Sequence, residues 1–132
     1  MFPIKWAKLK PSPKFGYNLL ILSDIADNIS IDPRKLTHYV LDPDSPHGKY
    51  KAVVFEKVLG FTKDNHTSLI FQIESTAMQT EIVFHSEDSY GKRYTADISI
   101  EGLKNRNAVV RTGWIVAPGS RVANLVTLYV KE

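Results

Sequence analysis

The sequence predicts an α+β fold in which an N-terminal arm and about three helices pack on one face of a four-stranded antiparallel sheet. Two observations lead to this prediction. Apolar residues recur with a helical period from about residue 33 to residue 79, and with the alternating period of strands from there to the end. The turn signals between the last four stretches are short, as they are between antiparallel neighbours.

Length and composition restrict the class of protein. The chain has 132 residues, 43% of them hydrophobic, and its apolar runs reach only four residues, as at 19–22, so no membrane span is expected. The absence of cysteine excludes disulfides, thiolate metal sites and a cysteine nucleophile. Because residues 1–10 contain no secretory core, we expect a cytoplasmic protein.

Charge is distributed unevenly along the chain. Residues 1–23 carry a formal charge of +4, residues 24–88 carry −5 and residues 89–132 carry +4. We expect a basic N-terminal arm or strand over residues 1–24 and a single α+β domain over residues 25–132. Two positive ends suit a polyanion such as nucleic acid, and they also serve simple solubility.

The N-terminal arm contains prolines that disfavour a helix, and Trp6, Phe15 and Tyr17 alternate with its lysines. These aromatic side chains could stack on bases or anchor the arm to the domain. Residues 17–22 are predicted to form a short buried strand, and residues 23–28 a loop or turn.

Three helices are predicted next. The first, over residues 33–41, begins with Asp32 as its capping carboxylate and Pro33 in its first turn. The second has the same type of start at Ser45 and ends at Gly60, and the third extends from residue 64 or 65 to residue 79. Leu36, Tyr39 and Val40 form the apolar stripe of the first helix, so His38 is expected to be exposed or in a cleft.

The apolar arc of the second helix consists of Val54, Phe55, Val58 and Leu59, and Lys51 projects into the middle of this arc. Its aliphatic stem could snorkel over the helix. Alternatively, its ammonium group reaches a groove between the helices and the sheet, beside Tyr129, and holds an anion there.

Four strands are predicted over residues 81–85, 93–100, 108–116 and 122–131. In the last strand, Val126, Leu128 and Val130 are expected to face the helices, and Thr127, Tyr129 and Lys131 the opposite side. On the neighbouring strand, Arg111 lies on the face opposite to Thr112 and Trp114. Which of these shares a face with Tyr129 stays open, because the sequence does not specify strand register.

Common catalytic signatures are absent from the sequence. It contains no nucleophile elbow and no phosphate-binding Gly-rich loop. The four histidines, at positions 38, 47, 66 and 85, include no pair spaced four residues apart on one helix. We therefore expect neither a metal site nor a cofactor.

The stretch IDPRKLTHYVLDPDSPHGKYKAVVFEKVLGF resembles a bacterial domain family of unknown function whose members read roughly KLxxYLL, a proline, HPxGxxKA, an aromatic residue and LGY or LGF. The later segments YGKRY, TGWIV and LVTLYV look like its C-terminal strands. The resemblance covers about residues 26–132. Two places differ from the family pattern, with Ser45 in place of its histidine and Ala123-Asn124-Leu125 in place of Pro-Arg-Leu.

Members of this family occur as small proteins encoded next to a small partner and as C-terminal domains of toxin-like proteins. The order of helices and strands is similar to the ribonuclease superfamily of barnase, EndoU, colicin and RelE-type toxins. The resemblance therefore implies a metal-independent endoribonuclease toxin of a toxin–antitoxin pair, with RNA and a small antitoxin or immunity protein as partners. If the family histidine were the general base, His47 or His38 would have to replace it here.

RNA cleavage requires activation of a 2′-hydroxyl, stabilisation of phosphate charge and a proton for the leaving oxygen. Histidine can exchange a proton near neutral pH, so His38 is the preferred base and His47 the second choice. The candidate catalytic residues are His38, Lys51, Arg111 and Tyr129. The candidate substrate-binding residues are Lys35, His47, Lys49, Thr112, Trp114 and Thr127. For Thr112 and Trp114, ordinary strand packing is the alternative.

A second hypothesis uses the same fold without catalysis. A binding module could dock a small partner protein through the exposed face of the sheet. Binding of double-stranded DNA is disfavoured, because no predicted helix presents a cluster of basic and amide side chains for reading bases.

Overall fold

A computed structural model describes residues 10–11 and 18–132 of the chain. A mixed sheet of five strands forms its centre, in the order β3-β7-β6-β5-β4. These strands are β3 (Asn28–Ser30), β4 (Ile82–Asp88), β5 (Gly91–Glu101), β6 (Asn107–Val116) and β7 (Val122–Val130). A separate antiparallel pair consists of β1 (Lys10–Pro11) and β2 (Asn18–Leu19).

The structure confirms the α+β class and the four antiparallel strands of the C-terminal half. The expectation of a purely antiparallel four-stranded sheet was wrong, since β3 adds a fifth strand that pairs in parallel with β7. Sequence periodicity could not reveal β3, because it has only three residues and only its middle residue is half-buried.

The first predicted helix is a π-helix (Leu36–Val40) rather than a regular α-helix. The Leu41 N–H donates to the Leu36 carbonyl five residues earlier, at 2.8 Å. The predicted cap is present, since Oδ1 of Asp32 accepts the Arg34 N–H at 3.0 Å. Leu36 and Val40 are fully buried, as their stripe predicts.

The other two helices are α1 (Lys49–Leu59) and α2 (His66–Thr76). Regular α-helix begins at Lys49 rather than directly after Ser45, whose Oγ accepts the Gly48 N–H at 3.1 Å. Gly60 ends α1 with a φ of 80°, as expected for a glycine after a helix. Short 3₁₀ turns on either side of α2 extend it to the predicted limits.

The hydrophobic core lies between the helices and one face of the sheet. In β5, Ala96, Ile98 and Ile100 are buried, which confirms the predicted alternation. The segment predicted as a strand over 17–22 is a strand in part: Asn18–Leu19 form β2, whereas Ile21 makes only an isolated bridge to Glu81 and Leu22 is buried within a 3₁₀ turn. Much of the predicted arm, residues 1–9 and 12–17, lies outside the described residues.

Both β4 and β7 contain a β-bulge. In β7, Leu125 pairs with Trp114 and Thr127 with Gly113, which leaves Val126 as an extra residue. The expectation that Val126 faces the helices was therefore wrong: Leu125 is buried in its place, while Leu128 and Val130 are buried as predicted. In β4, the extra residue is His85.

No helix in the described part of the chain is long and apolar enough to cross a membrane.

Gly48 allows a close backbone contact, and substituting it should destabilise the protein. A Cβ at this position would lie 1.8 Å from the carbonyl oxygen of Tyr39, which cannot move without displacing the π-helix. We expect Gly48→Ala to lower the free energy of unfolding by about 1–3 kcal/mol or more in urea titrations, as overpacking does. Gly113→Ala is the control, because its Cβ would meet a side-chain methyl group of Thr127 at 3.1 Å and no backbone atom closer than the Thr127 carbonyl oxygen at 3.8 Å. Equal stability of Gly48→Ala and the native protein would contradict this account.

Candidate functional site

The ammonium group of Lys51 lies among two hydroxyl groups and two aromatic rings. Its Nζ donates to Oγ1 of Thr127 at 2.9 Å and to the Tyr39 hydroxyl at 3.3 Å. It also lies 5.1 Å from the ring centre of Tyr39 and 5.7 Å from that of Tyr129, within the range of cation–π attraction. We call these residues, Tyr39, Lys51, Thr127 and Tyr129, the lysine cluster.

Three elements bring the lysine cluster together. Tyr39 belongs to the π-helix, Lys51 to the first turn of α1, and Thr127 and Tyr129 to β7. Strand β3 pairs only with residues 122–124 of β7, so the remainder of that edge has no neighbouring strand in the described part of the chain. Lys51 reaches this edge and contacts side chains of the sheet face that points away from the core.

Lys51 has no carboxylate within ion-pair distance among the described residues. Hydroxyl groups and aromatic rings orient an ammonium group but do not neutralise its charge. The side chain is also only half-buried, so an incoming anion could replace water beside it. A fixed, partly desolvated cation of this kind is suited to binding a phosphate group.

A groove of about 390 Å³ adjoins Lys51. It is lined by Tyr50, Lys51, Val54, Tyr129, Val130 and Glu132. Tyr50 and Tyr129 expose 75% and 37% of their surfaces, so both rings are accessible for stacking. The groove thus combines a cation with two accessible aromatic side chains.

Arg111 shares the outer face with Tyr129, because the two residues are paired in register. Its Nε and Nη2 donate to the Asp97 carboxylate at 2.8 and 3.0 Å, and Nζ of Lys131 donates to the same carboxylate at 3.0 Å. The Arg111 guanidinium, and to a smaller degree Lys131, lower the pKa of Asp97 to about 2. In turn, Asp97 and then the Tyr129 hydroxyl raise the pKa of Arg111 above its ordinary value. Arg111 is therefore already paired, unlike Lys51.

The other polar candidates on the helices and their turns lie outside the lysine cluster. His38 is exposed, and its Nδ1 lies 2.9 Å from Oγ1 of Thr37, outside the lining of the groove. His47 is exposed in the turn before α1, and Lys35 is half-buried at the start of the π-helix. Nζ of Lys49 lies 5.3 Å from the ring centre of Tyr50.

Thr112 and Trp114 lie on the core face of the sheet. Oγ1 of Thr112 donates to the Ala96 carbonyl at 2.7 Å and accepts from Nε1 of Trp114, also at 2.7 Å. Thr112 is fully buried and Trp114 is 1% exposed. Their polar groups satisfy each other within the core, which agrees with the packing alternative.

Tyr39 is the member of the lysine cluster that sequence reasoning missed. Its helical position assigns it to the apolar stripe with Leu36 and Val40, and its ring is indeed half-buried. A tyrosine in such a stripe, in place of leucine, carries a hydroxyl group that must find a polar partner. The need of the Tyr39 hydroxyl for a polar partner was therefore the feature of the sequence that could have identified Tyr39 as a site residue.

Among the described residues, no group of three or more His, Asp or Glu side chains is arranged to hold a metal ion. The carboxylates near the lysine cluster are Asp97, which is paired with two cations, and Glu132.

The ion pairs of Asp97 should give stability a specific pH dependence. Because its pKa in the folded protein, about 2, is below the ordinary value of 3.8, the contribution is complete above the ordinary value and is lost as the pH falls through about 2. We expect Asp97→Asn to lower the free energy of unfolding near neutral pH by about 1 kcal/mol or less. Urea titrations at decreasing pH should show the two proteins converging over that interval, whereas a constant difference would contradict the assignment.

Comparison with known proteins gives one match. The model of a domain of unknown function, DUF6883, matches residues 21–132. Searches of the curated proteins and of the solved structures found nothing that matches. The matched residues include the whole lysine cluster and the five-stranded sheet that supports it. This chain therefore belongs to the DUF6883 family.

Proposed function

We propose that this protein is a metal-independent endoribonuclease that cleaves single-stranded RNA and acts as the toxin of a toxin–antitoxin pair. One observation carries the proposal: the Lys51 ammonium is oriented by two hydroxyl groups, has no carboxylate partner among the described residues, and borders an open groove. A cation in this state can stabilise charge that develops on a phosphate during cleavage.

The reaction needs few groups. The 2′-oxygen bonds to phosphorus, the bond from phosphorus to the 5′-oxygen breaks, and the products carry a 2′,3′-cyclic phosphate and a 5′-hydroxyl. In our proposal Lys51 binds the scissile phosphate and stabilises its extra negative charge. The proton of the 2′-hydroxyl passes to water, and the Tyr39 hydroxyl donates a proton to the leaving 5′-oxygen and regains one from solvent.

The other residues near Lys51 are assigned to binding bases and to positioning Tyr129. The exposed rings of Tyr50 and Tyr129 offer stacking surfaces for bases, which is how single-stranded RNA is commonly held. Arg111 and Lys131, paired with Asp97, are assigned to positioning Tyr129 rather than to contacting the phosphate. Because the Tyr39 hydroxyl accepts from Nζ of Lys51 at 3.3 Å, whereas His38 is not part of the lysine cluster, we transfer the proton-exchange role from His38 to Tyr39.

Purified protein should cleave single-stranded RNA in the presence of EDTA, and an RNA with 2′-deoxyribose at the cleavage site should stay intact. Lys51→Met keeps an unbranched side chain one atom shorter and removes the charge, and we expect kcat/KM to fall by about 10²–10³-fold. Tyr39→Phe should lower kcat by about 10²-fold or more, the usual effect of losing an acid–base group.

Two control variants sharpen this test. Lys57→Met changes an exposed lysine on the same helix, and His38→Ala changes the histidine outside the groove; both should keep the native activity. Intact RNA at high protein concentration, or full activity of Lys51→Met, would overturn the proposal.

The toxin role requires a separate experiment in living cells. Expression of the native chain should arrest growth of a bacterial host, Lys51→Met should relieve the arrest, and co-expression of the neighbouring gene should restore growth. Arrest that persists with Lys51→Met would separate toxicity from the proposed chemistry.

A second candidate is a non-catalytic module that binds a small partner protein. The specific observation in its favour is the edge strand β4, where Val83 and Phe84 expose 67% and 55% of their surfaces. Exposed apolar residues on an edge strand favour pairing with another chain. Binding of the neighbouring gene product together with intact RNA would select this candidate.

A further inference from the structure

The two β-bulges lie in the same row of the sheet. In that row, Tyr94 of β5 is paired with Trp114 of β6. The extra residue of β4, His85, follows the partner of Tyr94, and the extra residue of β7, Val126, follows the partner of Trp114. Strands β4 and β7 therefore carry their extra residues at the same level of the sheet.

His85 and Val126 line a single depression of about 130 Å³. Thr95, Gly113 and Thr127 form its central row, since Thr95 is paired with Gly113 and Gly113 with Thr127. These three residues alternate with the buried Ala96, Thr112 and Leu128, which places them on the face away from the core.

The space of the depression depends on Gly113. A Cβ at this position would lie 3.1 Å from Cγ2 of Thr127, and any larger side chain would project into the depression. Thr127 also belongs to the lysine cluster, because its Oγ1 accepts from Lys51 at 2.9 Å. One threonine side chain therefore separates the depression from the ammonium group.

From this juxtaposition we infer that the depression binds the nucleobase next to the phosphate held by Lys51, and so determines which RNA sequence is cleaved. The inference rests on the proposed ribonuclease function, and it adds a specificity site on the sheet face to the catalytic groups at the edge of β7.

The chemistry of the lining fits a nucleobase. The depression is small and mostly apolar, with His85 and Arg93 as its main polar side chains. Nδ1 of His85 interacts with Oγ of Ser86 at 2.9 Å, so Nε2 is the ring nitrogen left for a base edge. Arg93 is anchored by Asp88, which fixes the guanidinium while leaving further donors.

The position of the depression also determines the form of RNA that fits. A base can occupy it only when it is turned out of a stack, and sequence-specific recognition of RNA uses such unstacked bases in single strands. A short nucleotide unit connects each base to its own phosphate, which matches the close spacing of the depression and Lys51.

The test uses short oligonucleotides with one ribonucleotide linkage, so that cleavage occurs at a single site, and varies the bases on either side of it. For the native protein we expect kcat/KM to differ by about tenfold or more between the best and the worst base, as expected for one base contact. Gly113→Val fills the depression at a position without left-handed backbone, and it should make all these substrates nearly equal to the worst one.

Ser99→Val is the matched control, because it adds the same side chain to the same face outside the depression. It should keep the native base preference. On a substrate that lacks the base beside the cleaved linkage, Gly113→Val should lose much less activity than on the substrate with the best base, because the added side chain then has no base to displace. Cleavage of this substrate shows that the variant is folded and active.

The outcomes separate this inference from the proposed function. Cleavage by Gly113→Val with an unchanged base preference would overturn the inference and leave the ribonuclease intact. If the native protein cleaves nothing, binding of an all-deoxy oligonucleotide is followed by tryptophan fluorescence in a Trp6→Phe background, so that the signal comes from Trp114, which borders the depression. A fluorescence change in the Trp6→Phe protein that is lost when Gly113→Val is added supports a base-binding depression without catalysis, and an equal change in both proteins, or no change in either, overturns it.

Discussion

The close contact between Gly48 and the Tyr39 carbonyl is the constraint on which the candidate site depends. A Cβ at Gly48 would lie 1.8 Å from that oxygen, so only glycine lets the turn before α1 approach the π-helix this closely. Lys51 lies one turn further along α1, and it therefore meets the Tyr39 hydroxyl at 3.3 Å. Tyr39 is half-buried beside the fully buried Leu36 and Val40 of the same π-helix, and its hydroxyl extends to the Lys51 ammonium.

Electrostatics then distinguishes the cations of the outer sheet face. Arg111 and Lys131 share Asp97, and each is at least a third exposed, so their pairs contribute little to stability but hold the neighbouring side chains in place. Lys51 is oriented only by neutral groups, so its charge stays available to a ligand. This difference is the physical reason for assigning the phosphate to Lys51 and a positioning role to Arg111, although the sequence presents both simply as basic residues.

The alternation of β5 follows from sequence periodicity, because it depends on contacts repeated along a regular element. The groove beside Tyr129 was one of two alternatives for Lys51, and periodicity alone did not choose between them. The exceptions arise where regular geometry ends. The three residues of β3 are too few to show a period. The π-helix is closed by a hydrogen bond to the residue five positions earlier, whereas an α-helix bonds to the residue four positions earlier. The bulge at Val126 exchanges the two faces of β7 from one residue to the next. The register that pairs Arg111 with Tyr129 is set by strand partners distant in sequence, so it could not be predicted.

The bulges also explain how one small sheet could provide both chemistry and recognition. A regular strand presents every second side chain to a face, so the edge of β7 alone would offer a flat row of residues. Adding one residue in β4 and one in β7 at the same level, with glycine between them, creates a depression without interrupting the pairing of β5 with β6. Thr127 then borders the depression on one side and holds Lys51 on the other. A substrate that uses both must bend its backbone sharply around that residue, which a single strand of RNA can do and a duplex cannot.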